Sequence, residues 1–119
     1  MYRKPANKYG NCKTAGYDSR KEARRGAELE VMEKAGLIQN LRRQVKYELI
    51  PRQIGECGTD LKGRPVRVLL EHPVRYVADF VYEMAGQTIV EDAKGMRTRE
   101  YVIKRKLMLY VHGIKIKEV

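Results

Sequence analysis

The run Tyr76-Val77-Ala78-Asp79-Phe80-Val81-Tyr82 constrains this chain more than any other stretch. It is apolar on both alternating faces, and such a run reads as a strand inside a sheet. Asp79 interrupts it. An ionised carboxylate there is costly unless it is paired or holds a cation. A second strand-like run, Thr88 to Lys94, carries Asp92-Ala93-Lys94. Residues two apart share a strand face, so Asp92 and Lys94 point the same way. Pairing the runs as a hairpin with the four-residue loop Met84-Ala85-Gly86-Gln87 sets Glu83 opposite Thr88 and Asp79 opposite Asp92. Opposed side chains have Cβ atoms about 5 Å apart. Two carboxylates so placed repel unless a hard divalent cation sits between them. The expectation is a metal site with a lysine beside it, the Ala93 carbonyl being a further candidate ligand. Glu91 points to the other strand face and is not expected to be one.

A chain of 119 residues makes one domain with one modest core. Its net charge is +10, yet it is 43% hydrophobic, too apolar for a disordered basic tail. A folded, strongly basic domain points to a polyanion, most often nucleic acid. The plain alternative is solubility. No long apolar segment or amphipathic anchor supports a lipid surface, and no signal peptide is read. Cys12 and Cys57 have no partners at metal-ligand spacing. The expectation is a reduced, cytoplasmic protein with two ordinary thiols.

Residues 1–17 are rich in Gly, Asn, Lys and Tyr without an apolar period, and read as a basic N-terminal arm. Residues 18–119 then form the single domain. Asp18-Ser19 opens a helix to about Ala35, with Ala23, Ala27 and Val31 on its apolar face and Lys34 and Gly36 at its stop. Val45 to Ile50 reads as a strand, Gly55 to Pro65 as a loop, and Val66 to Leu70 as a strand. Thr98 caps a second helix to about His112, with Ile103, Leu107 and Tyr110 as its core face and Gly113 as its stop. His112 reads as a C-terminal cap, and His72 follows no metal or nucleophile pattern. Ile114 to Lys117 is a short last strand whose lysines suit a sheet edge. The fold class is α/β, a mixed β-sheet flanked by helices.

Two readings compete for Glu22. Ser19-Arg20-Lys21-Glu22 is a capping box, with Glu22 reaching back to the Ser19 amide. Alternatively Glu22, in the first helical turn, reaches the metal held by Asp79 and Asp92. Lys94 likewise reads either as a group that orients water and stabilises charge on a phosphate, or as an ion pair that offsets the burial of Asp92 or Asp79.

Asp79, a hairpin, then Asp92-x-Lys94 matches the PD-(D/E)xK nuclease motif, with Ala78 in place of its proline. Around it stand Asn7-Lys8-Tyr9-Gly10-Asn11, Tyr17-Asp18-Ser19-Arg20-Lys21-Glu22-Ala23-Arg24-Arg25 and Val90-Glu91-Asp92-Ala93-Lys94-Gly95. Together these words resemble a family of small phage and prophage proteins of this nuclease superfamily, similar to archaeal-type Holliday junction resolvases. The resemblance runs from about Asn7 to Val119 and is weakest over Gly55 to Pro73. It implies a restriction-endonuclease-like core in αβββαβ order, magnesium or manganese, phosphodiester hydrolysis and a homodimer, since a four-way junction needs two cuts related by a two-fold axis. It places Glu22, Asp79 and Asp92 at metal-binding positions and Lys94 at the catalytic lysine. Gln44 resembles a position near the active site of related nucleases. A strand-edge hydrogen bond is its other reading.

The basic residues around this motif are the candidate DNA contacts: Lys8 and Lys13 in the arm, Arg20, Lys21, Arg24 and Arg25 on the first helix, and Arg97, Arg99 and Lys104 after Gly95. Such a surface holds phosphates with little sequence preference, or is simply a solvated face. Tyr2, Tyr9 and Tyr17 read either as stacking platforms for unpaired bases or as packing residues. The leading expectation is a divalent-metal-dependent DNA endonuclease of phage origin that resolves four-way junctions. The alternatives are a nuclease on other branched or damaged DNA, and a basic nucleic-acid-binding module without activity.

Overall fold

The computed structural model describes residues 19–94 and 96–119. The expected arm, with Lys8, Lys13 and its tyrosines, lies outside the described residues. Helix α1 (Arg20–Lys34) starts where Ser19 Oγ accepts the Glu22 N–H at 3.1 Å, which satisfies an orphan donor of the first turn. Gly36, at φ +78°, follows its end, where only glycine is at ease. Strands β1 (Gln39–Ile50), β2 (Gln53–Thr59), β3 (Pro65–Glu71), β4 (Val74–Met84) and β5 (Gln87–Asp92) follow, then α2 (Arg99–His112) and β6 (Lys117–Glu118).

Four strands make the main sheet in the order β1-β4-β5-β6. Its first two pairings are antiparallel and β5–β6 is parallel, so the sheet is mixed. β4 lies between β1 and β5, which is why its sequence is apolar on both faces. Val81 and Val90 pack with Tyr101 and Met108 of α2, whereas their chain neighbours Tyr82 and Ile89 pack with Leu29 of α1. Successive strand residues point to opposite faces, so the two helices cover opposite faces. The class is α/β, with a mixed sheet flanked by helices.

The β4–β5 register holds Glu83 opposite Thr88, as the sequence predicts. The connection is tighter than the expected four-residue loop. Met84 pairs with Gln87, and only Ala85 (φ +52°) and Gly86 (φ +77°) turn the chain. Two positive φ values in a two-residue loop match the twist of the strands it joins.

Other elements depart from expectation. Only 60–64 of the expected loop Gly55 to Pro65 is a turn: β2 takes Gly55 to Thr59, β3 starts at Pro65, and the two form a separate two-stranded ribbon. Its glycines serve the ribbon's irregularities, since Gly58 (φ +67°) falls at a register shift and Gly63 (φ +77°) lies in the tip. The Asp60 carboxylate closes that tip by accepting the Lys62 and Arg64 N–H groups, each at 2.9 Å. β1 begins six residues before the expected Val45, because Gln39, Arg42 and Arg43 pair with β4, although Asn40 (φ +54°) and Gln44 (φ +52°) break the extended backbone. On α1 the buried stripe is Glu22, Gly26 and Leu29; of the expected face only Ala23 packs against the core, half-buried, while Ala27 and Val31 are exposed. A carboxylate and a glycine centre that stripe, and a count of apolar residues does not see it. On α2, Tyr101 and Met108 are buried and Leu107 is half-buried, while Ile103 and Tyr110 are exposed. Thr98 caps that helix as expected. His112 does not cap it. Its Nε2 lies 2.7 Å from the Glu48 carbonyl and its ring packs edge-on to Tyr47, so it fastens α2 to β1. The last strand is only Lys117–Glu118, at the sheet edge. Among the described residues no helix is long and apolar enough to cross a membrane.

Candidate functional site

The site grows from a kink shared by β1 and β4. Tyr76 and Ala78 belong to the core under α2, but Phe80 and Tyr82 belong to the core under α1. In an unbroken strand all four would share one face. The change falls at Asp79. Across from it Gln44 stands at φ +52°, a left-handed conformation uncommon outside glycine. The register keeps count on both sides of the break, with Arg43 opposite Phe80 and Val45 opposite Ala78. Both strands therefore turn together, and neither gains a residue. Distortions of this kind re-aim side chains beside functional sites.

Here the kink joins three elements. Gln44 Nε2 donates to Glu22 Oε1 at 2.9 Å and, at the long limit of 3.4 Å, to Asp79 Oδ1. Asp79 Oδ2 accepts the Ala93 N–H at 2.8 Å, which pins the end of β5 to β4. Asp92 Oδ2 accepts from the Tyr76 hydroxyl at 2.5 Å. Its other oxygen, Oδ1, is buried without a hydrogen bond. Lys94 Nζ approaches Oδ1 only to 3.7 Å, and lies 4.9 Å from the centroid of the Tyr101 ring. Lys21 Nζ donates to the Lys94 carbonyl at 3.0 Å and ties α1 to the motif.

The electrostatics follow from this burial. Burial pushes the Asp79 carboxyl up to about 7. The Ala93 N–H opposes that rise, Asp92 and Glu22 add to it, and Lys94 subtracts. Burial also raises Asp92, and the Tyr76 bond and the Lys94 charge do not cancel it. The Tyr76 hydroxyl is raised too, first by burial and then by its bond to Asp92. A pair of carboxylates held above their ordinary range marks a place short of positive charge.

The structure thus brings Glu22, Asp79, Asp92 and Lys94 to one end of the β4–β5 hairpin. Ser19 caps α1 by accepting the Glu22 N–H, while Oε1 of the Glu22 side chain accepts from Gln44. Gln44 takes the bridging role, not that of a simple strand-edge donor. Among the described residues no three His, Cys, Asp or Glu side chains are gathered closely enough to form a ready metal cage. Tyr76 and Tyr101 escaped the sequence reading. Tyr76 stands there only within an apolar run and Tyr101 has no reading, because nothing local in the sequence tells a core tyrosine from one that bonds a carboxylate or underlies a lysine.

The basic candidates divide. Arg20, Lys21 and Arg24 are exposed on α1, and Arg99 is exposed at the start of α2. Arg25 is not a free surface cation. It grips fully buried Glu91 with two bonds of 2.8 Å, and also reaches Glu28 at 3.0 Å. Burial pushes Glu91 up, but the bonds from Arg25 and the Tyr82 hydroxyl outweigh it and hold its carboxyl below the ordinary value. Arg97 pairs with Glu118, which also binds Arg105, so its charge is partly offset although its side chain is exposed. Lys104 pairs with Glu100 at 3.0 Å. It lines a groove of about 260 Å³ with Tyr76, Val77, Lys94 and Tyr101.

Nothing among curated proteins and nothing among solved structures matches the chain. One family model, described as "Protein of unknown function (DUF1064)", matches residues 3–117, and the chain therefore belongs to the DUF1064 family.

Proposed function

We propose that this protein is a divalent-metal-dependent DNA endonuclease acting on branched DNA, with the four-way junction as its substrate. The observation that carries the reading is the convergence of Glu22, Asp79, Asp92 and Lys94, with one buried Asp92 oxygen left without a hydrogen bond. Unsatisfied buried acceptors are rare and call for an explanation. A hard cation supplies one, because three carboxylates and the Ala93 carbonyl are the oxygen donors that magnesium and manganese take. Glu22, Asp79, Asp92 and that carbonyl would hold the ion. When bound, it polarises the scissile phosphate and lowers the pKa of a water.

The chain's own groups do the rest. Lys94 places a positive charge beside the carboxylates, where it offsets charge developing on the phosphate. The Ala93 N–H and the Gln44 amide hold Asp79 in place. Tyr76 holds Asp92. The net charge of +10 draws the polyanion in. A homodimer in the host cytoplasm completes the reading, since two cuts across a junction require two sites.

The cations beside the acids favour a second reading, a basic nucleic-acid-binding module whose acids only balance its cations: Lys94 Nζ stands 3.7 Å from Asp92, and Arg25 grips Glu91. One assay separates the two. A synthetic four-way junction is incubated with the protein with and without magnesium, beside flap and linear duplex substrates. Metal-dependent cutting of the junction is expected. Binding without cutting at any magnesium concentration would leave the second reading.

A further inference from the structure

The β2–β3 ribbon has no part in the site above, and the resemblance to nucleases is weakest over it. At its base, where it joins the main sheet, lies a groove of about 360 Å³. Ile54, Val68, Leu69 and Pro73 give the groove an apolar floor, while Arg52, Arg67, Arg75 and His72 line it. No acidic residue lines it. Among the described residues Arg25, Arg64, Arg97 and Arg105 form ion pairs with carboxylates, and Arg52, Arg67 and Arg75 form none, although Glu56 stands opposite Arg67 and Glu48 opposite Arg75 across the strands.

We infer that this groove is a second nucleic-acid contact, in which the three arginines hold the phosphate backbone of a duplex arm. Charge decides the occupant. A guanidinium is weakly hydrated and forks onto phosphate oxygens. A second copy of this chain seated on the same groove would instead bring two sets of arginines face to face, because a two-fold interface meets itself. The ribbon also has the right form, since a two-stranded β-ribbon fits the major groove of a duplex. Ile54 and Leu69 face each other across it and remain 36% and 48% exposed. Two isolated strands gain little stability alone, so solvent-facing apolar residues on them suit contact with sugars and base edges.

Position links this groove to the site. Arg75 lines it, and Val77, two residues on along β4, lines the groove that holds Lys94 and Lys104. Asp79 follows Arg75 by four residues, about 13 Å along a strand. That is well inside one duplex turn of about 34 Å. A duplex phosphate held near Asp79 thus has neighbours within reach of Arg75.

The inference rests on the nucleic-acid half of the proposed function and not on cleavage, so its test uses binding. Affinity for a fluorescein-labelled DNA duplex is measured by anisotropy without divalent metal, over a range of salt. Each phosphate contact contributes about 0.9 to the slope of log affinity against log salt. The triple variant Arg52→Ala, Arg67→Ala, Arg75→Ala should flatten the slope by about 3 and weaken binding to all duplex sequences alike. If that variant does not fold, Arg52→Ala and Arg75→Ala alone should each remove about 1. A control pair, Lys34→Ala and Lys115→Ala, should change the slope far less per charge removed. An equal loss per charge would assign the effect to net charge and overturn the inference. So would an unchanged slope in the triple variant. Loss of self-association, or of binding to phosphatidylserine vesicles, with DNA affinity intact would give the groove to another partner. A protein that never cuts a junction but shows the expected slopes would sink the nuclease reading and leave this contact standing.

Discussion

Gln44 bonds Glu22 at 2.9 Å from a backbone that most residues avoid, φ +52° in the middle of a strand. That one contact fastens the first turn of α1 to the sheet beside Asp79. It makes Glu22 part of the acidic group, although its backbone sits in an ordinary helix cap.

Glu22→Gln therefore separates cap from site. The Ser19 cap uses the backbone N–H of residue 22 and survives the change, and a glutamine oxygen can still accept from Gln44. The melting temperature should stay nearly unchanged. Junction cleavage should fall by about a hundredfold or more, as when a group that stabilises developing charge is lost. Wild-type cleavage by this variant would return Glu22 to a structural role.

Asp79→Asn and Asp92→Asn should each abolish magnesium-dependent cleavage while DNA binding stays level or tightens. Removing a carboxylate takes away a donor for the cation and a charge that repels phosphate. Gel-shift affinity and cleavage rate are read on the same preparation. Cutting at the wild-type rate by either variant would show the site to be misplaced.

Asp79 also makes a prediction about stability and pH. Its carboxyl is pushed up to about 7, chiefly by burial, against about 3.9 in an unfolded chain. Between those values the folded protein binds more protons than the unfolded chain, so this group makes stability fall as pH rises from about 4 to about 7. Asp79→Asn cannot ionise and removes that contribution. Metal-free melting curves of variant and wild type should diverge in the variant's favour as pH rises through this window. Parallel curves would show that Asp79 titrates normally.

Arg25 and Arg99 should behave in opposite ways, although both are arginines close to the motif. Arg25→Ala leaves the buried Glu91 carboxylate without its partner, and breaking such a pair costs about 3–5 kcal/mol. A large drop in denaturation midpoint is expected, with little change in the salt dependence of DNA binding for the protein that remains folded. Arg99→Ala should leave stability within about 0.5 kcal/mol and flatten the salt slope by about 1. Arg97→Ala should flatten it less, because Glu118 already holds that charge. If Arg25→Ala melts like the wild type, the pair with Glu91 does not carry the fold.

The β4–β5 hairpin was legible in the sequence because its signals are local. Two apolar runs with a Gly at the turn are enough to set Glu83 against Thr88. The expected pairing of Asp79 with Asp92 does not form: the paired residues end at Phe80 and Glu91, and the kinked Asp79 takes the Ala93 N–H instead. Both helix caps were legible for the same reason: Ser19 and Thr98 bond the backbone only three residues on. The ribbon was not. Its glycines read as a loop, and only the pairing of β2 with β3, and the Asp60 carboxylate in the tip, turned their positive φ values into strand bulge and turn.

What the tertiary structure alone decided lies in contacts between distant parts of the chain. Arg25 meets Glu91 across 66 positions and Lys21 meets the Lys94 carbonyl across 73. No periodicity in α1 announces either, because the helix turns a carboxylate and a glycine inward and leaves Val31 outside. The kink at Gln44 and Asp79 has the same origin. A polar pair in the middle of two strands cannot be buried in the regular pleat without leaving an acid unsolvated. Packing against α1 on one side and α2 on the other turns the strands at that point and gives Asp79 the Ala93 N–H and the Gln44 amide as partners. The sequence determined the hairpin turn, the helix caps and which acids stand in or beside apolar runs, since those signals are local. The assembly of helix on sheet decided which of them meet.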